Sequence, residues 1–370
     1  MNTVNDRFKS EQIAHSLFAG RYSSYVAKRM VNVLNAADDE LMVRLVQAME
    51  RSRLTGSTIT EKRILSLLKS VRDINKQAIN ATYSTLTDEL LSYAKHEAWY
   101  QQSLFDVLID SSILKHYPLQ GISEHQVYAA AMSKPFQGKL LSEWFDGLEK
   151  DRMKRIENTV RVGYLAGDSA VDIGKRIIGH VSKGYQDGAL QMSRANATSI
   201  AKTALNHFQA EARDQFYDKN DAVIDCKEWL STLDNKTTHI CIIRDKKRYT
   251  LDNKPIGHKI PYKQGPGKIH FNCRSTEVVV TKSWRELGID VDEMSEGTRS
   301  SMNGQVPAGW SYTEWLEQQP DWRQKEILGG ARYRMYKQGK KLPEFYTDKG
   351  ELLTLEQLKR LDERAINEYQ

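Results

Sequence analysis

Apolar positions recur at helical spacing through the first third of the chain. Val71, Ile74, Ala78, Ala81 and Thr85 follow one another at three and four residues, and Leu86, Leu90 and Ala94 continue a second row. Such spacing places each set on one stripe of a helix, and two stripes of this kind predict helix–helix core. No proline occurs before Pro118, so residues 8–115 read as long helices. Ahead of the stripe, Gly56-Ser57-Thr58-Ile59-Thr60-Glu61 predicts a helix start. There Thr58 accepts from the amide three residues on, and Glu61 reaches back to complete a capping box.

The pattern then becomes more broken. Across residues 119–219, Trp144, Leu148, Ile156, Val160 and Leu165 supply helical apolar positions after a turn at Ser133–Lys139. Gly163, Gly167, Gly174 and Gly179 punctuate this stretch. A glycine costs about 1 kcal/mol inside a helix relative to alanine, so short helices or close helix approach are expected. A cleaner helix spans 193–217.

Near residue 222 the period changes. Turn signals at Asp234-Asn235, Asp252-Asn253-Lys254-Pro255 and Gln264-Gly265-Pro266-Gly267 separate short apolar runs such as Ile240–Ile243, and Thr276–Val280 reads as a strand. The fold class is therefore mainly α, with a small α+β domain containing short strands near residues 222–282. The segments read as long helices over 1–118, a helical region over 119–221, the α+β part over 222–282, an extended Gly/Ser-rich connection over 283–308 and short helices over 309–370. Leu353–Leu358 leads the last of these helices.

Composition narrows the class. Hydrophobic residues make up 40% of the 370 and charged residues 28%, which supplies a core and argues against global disorder. No stretch approaches the roughly 20 apolar residues of a membrane span, and the first residues do not read as a signal peptide. The net charge of +6 is spread along the chain and fits either a solvated surface or loose phosphate contact. Its densest part is Arg244, Lys246, Lys247 and Arg248, with Lys254, Lys259, Lys263 and Lys268 following; these are the candidates for DNA or partner contact. Lys337, Lys340 and Lys341 form a second cluster.

Three cysteines do not make a disulfide scaffold, and Cys226 reads as a small buried hydrophobe. His239 with Cys241, and His270 with Cys273, carry the ligand types of a structural zinc; buried, hydrogen-bonded thiols and imidazoles are the alternative. The same residues lack the third group of a Cys–His nucleophilic site. Asp225, Asp234, Asp245 and Asp252 lie beside turns, where aspartate is common, rather than in a nuclease pattern. Gly265-Pro266-Gly267-Lys268 is not a phosphate loop.

One set of motifs carries a resemblance. Glu228 to Thr238, with Trp229, Asp234 and Thr237, and the closing Ile269-His270-Phe271-Asn272-Cys273-Arg274-Ser275 resemble the signature of the phage Mu F-like minor head (head morphogenesis) family. That family usually reads His-Pro-Asn-Cys-Arg-Cys at the close; Phe271 stands in place of the proline and Ser275 in place of the last cysteine. Ser199–Ala204 is similar to the helix start before the signature, Phe136–Lys139 with Trp144 to its approach, and Ser311–Leu316 with Ile327-Leu328-Gly329 to the usual extension, so the resemblance covers about 120–360. It implies a non-enzymatic structural protein of the virion, inside the capsid, present in the host cytoplasm during assembly. Portal protein and major capsid protein are its implied partners, and packaged double-stranded DNA a further one. No cofactor is expected apart from the zinc alternative. A DNA-contacting ejection protein and a cytoplasmic binding module are the competing readings.

Overall fold

The computed structural model describes residues 4–52, 58, 60–283, 286–287, 298–307 and 309–368. In chain order the elements are α1 (Val4–Ser52), α2 (Glu61–Leu67), α3 (Lys69–Leu108), α4 (Ser111–His116), α5 (Glu124–Ser133), α6 (Leu141–Ala166), α7 (Ala170–Ile178), α8 (Gln191–Lys219), β1 (Ile224–Leu230), α9 (His239–Ile242), β2 (Arg248–Tyr249), β3 (Pro255–Ile256) and β4 (Thr276–Thr281). Then follow β5 (Thr298–Ser301), β6 (Gly304–Pro307), α10 (Tyr312–Glu317), α11 (Asp321–Lys337) and α12 (Leu355–Glu368). The chain is mainly α with a small antiparallel sheet, as the pattern of apolar positions indicates. Among the described residues no helix is long and apolar enough to cross a membrane.

Two compact units emerge, both discontinuous in sequence, in place of consecutive segments: one takes residues 19–95 and 124–208, the other residues 1–18, 96–123 and 209–370. The first is all helical. Leu41, Leu45 and Met49 of α1, Val71 of α3, Ile156 and Val160 of α6 and Ile173 and Ile177 of α7 share its core. Gly163 marks a close approach, because a Cβ there would lie 2.3 Å from Ile173 Cγ1. The buried row on α3 runs through Val71, Asn75, Ala78, Thr82, Leu86 and Leu90, while Ala81 is exposed. Two polar residues thus occupy the core face: Asn75 Oδ1 accepts from Arg152 Nε at 2.7 Å, and Thr82 donates to the Ala78 carbonyl at 2.7 Å. Leu165, expected inside, is exposed.

Asp38, fully buried, receives both Arg152 and Arg194. The α2 cap is Thr60 rather than Thr58; its hydroxyl accepts from Arg63 N at 3.3 Å. Gly56, Ser57 and Ile59 of the expected start lie outside the described residues.

The second unit carries the sheet, in the order β3-β2-β1-β4 with every pairing antiparallel. Phe8, Phe105, Phe216, Ile224, Val278 and Val279 form one core against it, and Trp229, Tyr249, Tyr262, Cys241 and Cys273 a second. The central strand is buried along most of its length although it contains Lys227 and Glu228. Each is paired: Lys227 with Asp214 at 3.2 Å, and Glu228 with Lys9, Lys246 and Arg248 at 3.2–3.5 Å. Part of the expected extended connection is a hairpin, β5–β6, whose closing pair Ser301–Gly304 leaves a two-residue turn; residues 288–297 of that connection are outside the described ones. Tyr312, Trp315, Leu316, Leu328 and Phe345 make a third cluster beneath the C-terminal helices.

Candidate metal centre and the signature residues

Four residues of the signature are held by one turn. Asp234 accepts from Lys236 N at 2.9 Å and from Thr237 Oγ1 at 3.1 Å, so its carboxylate closes the turn after β1. Arg274, forty residues on, pairs with the same carboxylate through two nitrogens. Burial pushes the Asp234 carboxyl up, but the Arg274 guanidinium and the Lys236 amide outweigh it and hold it low. Trp229 is fully buried, and its indole N–H donates to Ser231 Oγ at 3.2 Å. Ser231 in turn donates to the Cys241 carbonyl at 2.8 Å, which anchors the one-turn helix α9 to the end of β1.

The closing motif is a tight turn. Asn272 has φ of 55°, a left-handed conformation that asparagine tolerates better than most residues. Cys273 N donates to the His270 carbonyl at 3.2 Å, and the turn sets the two side chains toward Cys241. Cys241 Sγ lies 3.3 Å from His270 Nε2 and 3.7 Å from Cys273 Sγ. His270 Nδ1 is 2.9 Å from the Phe271 carbonyl, which can only accept, so Nδ1 carries the proton and the Nε2 lone pair faces the sulfurs. Thr238 Oγ1, 2.9 Å away, donates to that lone pair. Burial lowers the His270 pKa, but the Cys241 sulfur and the Phe271 carbonyl beside the ring raise it on balance.

The two thiols divide their roles. The hydrogen bond from Cys241 is the largest influence on Cys273; with the backbone amides of Ser275 and Gly267 it overcomes burial and brings that thiol down to about 7. Donation to Cys273 and burial both push the Cys241 thiol up. The two edges at Cys241 fit zinc. Bonds of about 2.3 Å to sulfur and 2.0–2.1 Å to nitrogen, at tetrahedral angles, separate two sulfurs by about 3.8 Å and sulfur from nitrogen by about 3.5 Å. Ser275, the residue in place of the family's last cysteine, is buried beside both thiols, and its hydroxyl favours the thiolate form of each.

His239 does not join this triangle. Its Nδ1 is 2.9 Å from Tyr346 Oη, on the side of the third core cluster. The reason is helical: His239 and Cys241 are two residues apart on α9, about 200° around the axis. Cys226 is buried, its thiol pushed up to about 12 mainly by burial.

The basic residues do not form one surface. Arg244 is fully buried, donating to the Pro261 and Ile240 carbonyls with its guanidinium 5.9 Å over the Trp229 ring. Lys246 and Arg248 pair with Glu228, and Lys246 N donates to the Trp229 carbonyl at 2.9 Å. Lys268 bridges Glu211 and Asp214 at 2.7 and 3.6 Å. Lys247 is partly buried, while Lys263 is exposed in a turn. Lys254 and Lys259 are exposed beside Asp252 and Asp348. Lys337 of the second cluster pairs with Asp321.

The four aspartates stay apart in function: Asp225 and Asp252 are exposed, Asp234 binds Arg274, and Asp245 accepts from Ser231 N and Tyr312 N at 2.8 and 2.7 Å. The chain matches no protein-family model, no curated protein and no solved structure.

Proposed function

We propose that this chain is an internal structural protein of a phage head, of the minor head type, which associates with portal and major capsid proteins and assists head assembly and DNA packaging or delivery. One observation carries the reading beyond the resemblance of motifs. The two halves of the signature are tied by Asp234 to Arg274, Thr232 to the Arg274 carbonyl and Thr238 to His270, and the Asp234 carboxylate also closes the turn after β1. That is the use expected of residues kept for shape. Zinc, when bound by Cys241, Cys273 and His270, would crosslink α9 to the closing turn. Chemistry at this cluster is not part of the proposal, and the protein acts without turnover.

The test is mass spectrometry of purified virions and of the same particles after genome ejection. Presence in full heads and retention in emptied ones is the expected result. Presence followed by loss would replace a portal-bound role by an ejected, DNA-contacting one. Absence from both would overturn the reading and leave a cytoplasmic binding module.

A further inference from the structure

Outside the sulfur cluster, the described residues contain one other group of three metal-ligating side chains with donor atoms within 4.8 Å of one another: His15, His96 and Glu97. His15 is on α1, the other two on α3, all in the sheet-bearing unit. The two helices run antiparallel there, since Phe8 packs on Phe105 at 4.7 Å and Tyr100 Oη donates to the Glu11 carbonyl at 3.2 Å. His15 Nε2 lies 2.7 Å from Glu97 Oε1, and both side chains are almost wholly buried. Tyr100 stacks on the His15 ring at 3.6 Å and 10°, while Phe18 and Trp99 flank His96 at 5.2 and 5.8 Å. Packing therefore fixes the ring planes before any ligand arrives.

Two further observations point to a guest. Gln101, fully buried and one turn beyond Glu97, has neither amide atom hydrogen-bonded among the described residues, and the same holds for Nε2 of buried Gln12, one turn before His15. Buried amides are nearly always satisfied, so this polar strip suits an ion with its water.

We infer that His15, His96 and Glu97 form a second metal site, which takes a divalent first-row ion of the zinc class and clamps α1 to α3. Two imidazoles and a carboxylate suit such an ion, with water in the remaining positions. Bonds of about 2.0–2.2 Å correspond to donor separations of roughly 3.0–3.5 Å, against donor atoms that lie within 4.8 Å of one another here. The inference is independent of the phage-head reading and of the sulfur cluster.

Cobalt(II) separates the two sites, because thiolate ligation gives intense charge-transfer absorption and a histidine–carboxylate site does not. The full chain, free of any histidine tag and carrying Cys241→Ser and Cys273→Ser, is titrated with cobalt(II). The expected result is one bound equivalent without charge transfer, a raised unfolding midpoint, and affinity more than about tenfold weaker in His96→Gln. Should the serine variant not fold, the unsubstituted chain is read instead: the equivalent lacking charge transfer disappears in His96→Gln. Absence of such an equivalent, or binding that His15→Gln and His96→Gln leave unchanged, overturns the site.

Discussion

The two units solve the same problem with different means. The helical unit is held by aliphatic side chains that interdigitate around glycine contacts, with one buried charge cluster at Asp38. The sheet-bearing unit has a sheet of only four strands, two of them two residues long, and threads ion pairs through both faces of its central strand. It adds the sulfur triangle. A small sheet buries too little apolar surface to stand alone, and directional bonds replace area. The lesson is that buried charge in the first unit is a local exception, whereas in the second it is part of the architecture.

The comparison breaks most easily at Asp38. Asp38→Ala leaves two buried guanidinium groups without their carboxylate and is expected to cost about 3–5 kcal/mol, read as a lowered denaturant midpoint. A loss under 1 kcal/mol would mean the cluster is solvated. Next comes metal in the sheet-bearing unit. Zinc at about a hundred times its dissociation constant at the sulfur triangle should stabilise by about 2.7 kcal/mol, removable by chelator and, in a His96→Gln background, lost in Cys273→Ser. Ser275→Cys should tighten binding by supplying a fourth ligand; unchanged affinity would place that side chain elsewhere.

Gly163→Ala tests the aliphatic packing: a methyl group 2.3 Å from Ile173 should cost about 1–3 kcal/mol, with no dependence on metal. The smallest effect is expected at the Asp234–Arg274 tie, where Asp234→Asn should cost about 1–2 kcal/mol at neutral pH. Because the folded carboxyl titrates below its unfolded value of about 3.9, its contribution is present above that pH and fades as pH falls through the folded pKa. Wild type and Asp234→Asn should therefore converge in acid; parallel curves would remove the carboxylate from the account.

The sequence disclosed long, periodic elements best. The helix expected over 193–217 is α8, Gln191–Lys219, and the strand at Thr276–Val280 is β4, because each presents an extended apolar pattern. Polar core residues escaped it: an apolar count passes over Asn75 and Thr82 and admits exposed Ala81. The hairpin over Thr298–Pro307 turns at Met302-Asn303, inside a segment whose overall composition suggested a connection. At the candidate site, composition located the ligands but the local period decided among them. In a strand His239 and Cys241 would share a face; in one turn of helix they diverge, and only Cys241 meets His270 and Cys273. The ligand role open to Ser275 and the meeting of His15 with His96 and Glu97 depend on tertiary approach and left no pattern in sequence.

The bond from Thr281 N to Asn5 Oδ1, at 3.0 Å across 276 residues, sets an order in time. During synthesis α1 emerges before β1 and β4, so Lys9 and Asn5 have no Glu228 or Thr281 to meet until long after. Phe8 meets Phe105 of α3 sooner, but the face of that core that takes the sheet must wait for β1 and β4, a condition that slows folding and invites association. A fragment cut at 222–282 would carry the signature and the sulfur triangle yet lack Phe8, Phe105 and Phe216, the aromatic floor on which its sheet rests.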